Sequence, residues 1–229
     1  MHGLVNKAFQ SFLTDTFGQP IWHAVLHRAG LWDLIGAEGF DPLHRYDLEV
    51  SEAILSAAMA ELGRPADQLL EDLGTYLVSN PRTERLRRLL RFGGLTFTDF
   101  LGSLDDLQGR ARLAVPDLDL PRITLQRLGA ERHVLTCHDC PRGFSSVMLG
   151  LLRTLADDYG ALAVVEPVEA AVSEPGGLRP VRDERLTIDL HDPAFHAGRR
   201  FELAEGGGVA GGRGGTRPRR RCRCWRWPI

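Results

Sequence analysis

The chain has 229 residues, 43% of them hydrophobic and 25% charged, with a formal net charge of −2 and a mean hydropathy of −0.16. These values exclude collagen-like, fully disordered and polytopic membrane proteins. No apolar run reaches the roughly 20 residues of a spanning helix, and no charged and apolar leader opens the chain, so the expected location is the cytoplasm. The charge is unevenly placed. Residues 206–229 hold seven Arg and no acid, leaving 21 basic against 30 acidic groups before them, a balance of −9. So acidic a body excludes a DNA-binding surface, which needs clustered cations, and no membrane contact is expected. A single Lys against 27 Arg reads as the codon bias of a GC-rich genome. Four cysteines in two close pairs, Cys137/Cys140 and Cys222/Cys224, make no disulfide framework for a chain of this length.

Helical periodicity dominates the first hundred residues. In residues 3–17, Leu4, Val5, Ala8, Phe9, Phe12 and Leu13 form an apolar stripe that Gly18 and Pro20 end. A second helix from Ile21 to Gly30 places Trp22, Val25 and Leu26 on one face, and residues 31–49 read as a loop. Ser51 opens a helix closed by Gly63, Pro65 opens another that runs to about Val78, and Pro81 opens a basic one carrying Arg82, Arg85, Arg87, Arg88 and Arg91. A further helix is expected over about 95–108, with Gln108 on its apolar face. The period then changes: Ile123 and Leu125, then Val134 to Thr136, predict two strands joined by a turn at Gly129. A helix over 144–158 and strands over 161–172 and 186–190 complete an α+β fold, with a helical N-terminal part and a smaller part made of an antiparallel sheet and a helix. Residues 191–205 read as a linker. Residues 206–229 read as a disordered tail, either a basic arm or the product of a shifted reading frame.

Enzyme constellations are sparse. No phosphate loop, His-Glu-x-x-His or Gly-x-Ser-x-Gly occurs, and Asp105/Asp106 and Asp157/Asp158 are adjacent, so on a helix each pair diverges by about 100°. The reading is not an enzyme. The metal-like grouping is His133, Cys137, His138, Asp139 and Cys140. Strand alternation sends Cys137 and Asp139 to one face and His138 and Cys140 to the other, so a tetrahedral zinc site would need a turn inside the segment. Polar side chains at a strand end are the plainer reading. His23 and His27, four apart on the second helix, read as a surface or core pair.

The opening MHGLVNKAF, FLGSLDDL at 100–107, AVPDL at 114–118 and RGFSSVMLGLL at 142–152 resemble the haem-nitric oxide/oxygen binding (H-NOX) family. The resemblance covers residues 1 to about 190. It implies a haem-binding nitric oxide sensor domain in bacterial signalling, with no catalysis of its own. The partner would be a histidine kinase or a cyclic-nucleotide enzyme, in trans or in a lost C-terminal domain, and a dimer is among the expected assemblies. The family's axial His position is Gln108 here, and no His lies between His44 and His133. Its propionate-gripping Tyr-x-Ser-x-Arg falls on Cys137, Asp139 and Pro141. Val5 and Phe9 match the distal wall, Pro116 the proline against the macrocycle, and Val147 the position of a Tyr in oxygen binders. Cys137 and His138 are the substitute iron ligands. The alternative is a haem-free regulatory or partner-binding module of the same fold.

Overall fold

A computed structural model describes residues 2–36, 38–81, 94–115, 117–118, 120–168 and 183–191. All belong to one unit, Met1–Pro193. The expected basic helix after Pro81, Pro116, the linker beyond His191, the tail with Cys222 and Cys224, and residues 169–172 of the third expected strand lie outside the described residues.

The helical part begins with α1 (Gly3–Phe17), whose stripe buries Phe9, Phe12 and Leu13, while Leu4 turns outward. The His2 ring accepts the Leu4 N–H at its N-terminus, and Gly18, with φ of 90°, turns the chain into α2 (Gln19–Arg28). Trp22, Val25 and Leu26 of α2 are fully buried. The expected loop over 31–49 contains a single helical turn, α3 (Trp32–Ile35). It forms because the Leu31 carbonyl accepts from both Leu34 and Ile35, and the segment then buries Ile35 and Phe40. Gln10 Oε1 accepts the Phe40 N–H at 3.0 Å, which pins this loop to α1. Next come α4 (Leu48–Leu62) and α5 (Ala66–Ser79). α4 starts one turn before the expected Ser51, whose hydroxyl is instead spent on Asn6 of α1 at 2.7 Å.

The helix expected over 95–108 is three pieces: α6 (Phe97–Gly102), a 3₁₀ turn (Ser103–Asp106) and α7 (Leu107–Ala114). A capping box between Thr96 and Asp99 sets its start. Phe100, Leu101, Leu104 and Leu107 are all buried along this segment, and the Arg110 guanidinium donates to the Ser103 carbonyl at 2.7 Å across the 3₁₀ turn.

Strands β1 (Arg122–Arg127), β2 (Arg132–His138), β3 (Leu162–Val168) and β4 (Glu184–His191) form an antiparallel sheet in the order β1-β2-β4-β3. α8 (Phe144–Asp158) covers its inner face. Ile123, Leu135, Cys137, Val165, Leu186 and Ile188 point to α8, while Arg122, Thr124, Thr136 and His138 face outward. The free edge of β3 is protected: Pro167 offers no N–H, and Arg153 of α8 donates to the Val165 carbonyl at 2.9 Å.

Two hydrophobic clusters meet where α5 crosses α8. One joins α1, α2, α4 and α5, and the other joins α6, α7, α8 and the sheet. At the crossing the backbones touch. A methyl group at Gly74 would run into the Val147 carbonyl oxygen, and one at Gly150 into that of Glu71.

Candidate functional site

The hairpin of β1 and β2 pairs Arg122 with His138 and Thr124 with Thr136, and β4 then sets Glu184 opposite Cys137. This register gathers three side chains from three parts of the sheet. His138 Nε2 lies 2.8 Å from Thr124 Oγ1, and its Nδ1 lies 3.1 Å from Asp183 Oδ2. Both ring nitrogens are therefore engaged.

β2 ends at His138, and Asp139 takes a left-handed backbone with φ of 48°. That rotation overturns the expected alternation: Cys137 and Cys140 both turn into the core, and His138 and Asp139 both face out. So the segment does contain a turn. Among the described residues, however, no group of three or more His, Cys, Asp or Glu is placed to hold a metal ion. His133, the first member of the metal-like grouping, is buried at the far end of β2, and loss of solvent there pulls its pKa down. Burial likewise pushes the Cys137 thiol up to about 12 and the Cys140 thiol up to about 11. At these values the neutral thiol is the favoured form at physiological pH.

After the turn, Gly143 N–H and Ser145 N–H at the start of α8 donate to the two carboxylate oxygens of Glu184 at 2.8 and 2.7 Å. A strand residue some forty positions away thus caps the helix. No sequence signal marks Glu184, because the cap is nonlocal. Thr124 was within reach of sequence reasoning, since a hairpin turning near Gly129 places it diagonally from His138.

Across from this corner, Gln108 on α7 lies half-buried beside the apolar face rather than within it. Its Nε2 donates to the Leu120 carbonyl at 2.6 Å, so the amide has found a protein partner. Gln108, Asp139 and Pro141 border one cleft of about 320 Å³, together with His138 and Arg122. Cys137, though adjacent in sequence, sits on the opposite face of β2. The remaining candidates lie elsewhere: Phe9 is in the helical core, Val147 packs half-buried against that same cluster, and Val5 is half-buried on α1. His23 and His27 both rest on Trp32, His27 stacked at 4.5 Å and His23 edge-on at 5.2 Å.

A helical layer joined to an antiparallel sheet through one long helix is the architecture of solved H-NOX domains. A point mutant of T. tengcongensis H-NOX superposes with a TM-score of 0.65 at 16% identity, covering 85% of this chain and 100% of that one. An oxygen-binding H-NOX domain related to soluble guanylate cyclases gives 0.61 at 17%, covering 85% and 97%. The family model described as haem-NO-binding matches residues 2–166, and the chain belongs to that family. Among curated proteins it is similar to soluble guanylate cyclase gcy-31 of Caenorhabditis elegans, 24% identical over 165 residues, and to soluble guanylate cyclase 89Da of Drosophila melanogaster, 22% over 166. Each match covers 72% of this chain but only 23% or 24% of the relative, so the chain spans about a quarter of their length.

Domains of this family bind haem, and the residues that the resemblance assigns to its iron ligand and propionates can be compared with that group where they line this cleft. Iron takes an imidazole, thiolate, thioether or phenolate from the protein. Here the His138 nitrogens are held by Thr124 and Asp183, the Cys137 thiol is buried on the core face of β2 away from the cleft, and Gln108 is a neutral amide tied to Leu120.

Proposed function

We propose that this chain is a haem-independent regulatory domain of the H-NOX fold, spanning residues 1–190 and acting in the cytoplasm on a signalling output. The output is a histidine kinase or a cyclic-nucleotide enzyme, in trans or in a further domain, and catalysis rests with that partner. The similarity to soluble guanylate cyclases supports a cyclic-nucleotide output. The observation that carries the haem-independent reading is the Gln108 amide bonded to Leu120 where the resemblance puts the iron ligand, beside a His138 whose nitrogens are both engaged. Among the described residues, no helix is long and apolar enough to cross a membrane.

Titrating the purified chain with haemin tests this. The expected absorption spectrum is that of free haemin, with no change in melting temperature. A shifted Soret band with one-to-one stoichiometry would overturn the reading. Coupling is measured by pull-down with the product of the neighbouring gene, which is expected to be retained specifically; failure to retain it would remove the partner assignment.

A further inference from the structure

Two opposite charges at one end of the sheet's outer face are paired, whereas two at the other end, among the described residues, are not. At the far end Arg132 and Asp189 are register partners and close into a two-pronged ion pair at 2.6 and 3.0 Å. At the cleft end, Arg122 and Asp139 are exposed and border the same concavity. Neither has a hydrogen-bond or ion-pair partner among the described residues. The same cleft is lined by the rigid rings of Pro121 and Pro141 and by the Gln108 amide, whose oxygen remains an acceptor once its nitrogen is bonded to Leu120. His138 closes the wall. Its ring is fixed by Thr124 and Asp183, so it shapes the cleft without competing for the charges. The turn at Asp139 is held in a conformation that no other non-glycine residue among those described adopts, and this brings the carboxylate to the rim.

A cleft of about 320 Å³ lies at the small end of the roughly 300–1,000 Å³ of ligand pockets. With one cation and one anion on its rim, it is complementary to a molecule bearing both a carboxylate and an ammonium group. We propose that this cleft is a binding site for a small zwitterion of the α-amino-acid class, with Arg122 taking the carboxylate, Asp139 the ammonium group and Gln108 Oε1 a further donor. This rests on the haem-independent reading, since it gives the same corner of the fold to a different ligand.

The test is a melting-temperature screen of the full chain with each of the twenty L-amino acids at about 10 mM, with sodium acetate and methylammonium chloride as single-charge controls. At least one amino acid is expected to raise Tm by about 3 °C, and neither control should. For that amino acid, calorimetric titration of R122Q and D139N is expected to show about tenfold weaker binding each, with the unliganded Tm unchanged because both side chains are exposed. No shift with any of the twenty, or affinities untouched in both variants, overturns the proposal. A chain that binds neither amino acids nor haemin loses only this inference; one that binds haemin with a shifted Soret band loses the reading beneath it.

Discussion

The crossing of α5 with α8 and the sheet corner at His138 hold the same helix by opposite means. At the crossing, two glycines remove side chains so that backbones touch, and stability comes from close packing between two apolar clusters. At the corner, polar groups converge from separate strands, and each is satisfied by a specific partner: Glu184 by the α8 N-terminus, His138 by Thr124 and Asp183, Gln108 by Leu120. The first region tolerates no added volume. The second tolerates volume but not a lost partner, and its outer rim is open to a ligand.

That contrast can be broken most forcefully at the crossing. Gly150→Ala or Gly74→Ala is expected to cost about 3 kcal/mol, seen in urea unfolding and as a drop of roughly 6–12 °C in Tm; a loss under about 1 kcal/mol would show that the helices can part without penalty. His138→Ala should cost about 2 kcal/mol, because two hydrogen bonds go and the Asp183 carboxylate loses its partner. Gln108→Leu removes one bond and leaves the Leu120 carbonyl to water, so about 1 kcal/mol is expected. A Gln108→Leu loss as large as that of the glycine variants would mean the corner, too, is closely packed.

The smallest effect is a pH dependence set by His133. Its folded-state pKa lies below the ordinary 6.5 because of burial, then the Arg127 cation. As pH falls through about 6.5, the unfolded chain takes up a proton before the folded one does. The stability this residue contributes is therefore intact above that pH and declines toward the folded-state pKa. Urea midpoints are expected to fall between pH 7 and 5, and His133→Leu should flatten that slope.

Much of this fold is legible in the residues themselves. The helix over 144–158 lies where its periodicity puts it, and the β1–β2 hairpin turns where Gly129 suggests. Over 95–108 periodicity predicts one helix and the chain forms three pieces, because apolar spacing alone does not reveal the Thr96–Asp99 cap or the tightened turn after Gly102. Strand alternation fails at Asp139 for a related reason: a left-handed residue there depends on where β2 must stop to meet α8.

Periodicity and turn glycines are local, so residue order by itself determined the first two helices, the pair after residue 47, the helix over 144–158, the hairpin, the α+β class and the family likeness. The cleft was decided only by the tertiary structure. Gln108 comes from α7, Arg122 from β1, and His138 and Asp139 from the end of β2; Glu184 caps a helix some forty residues away, and Cys137 lies on the far side of a strand from the residue next to it. Their meeting depends on strand register and on helices packed against the sheet, and those are set by burying apolar surface across long separations in sequence.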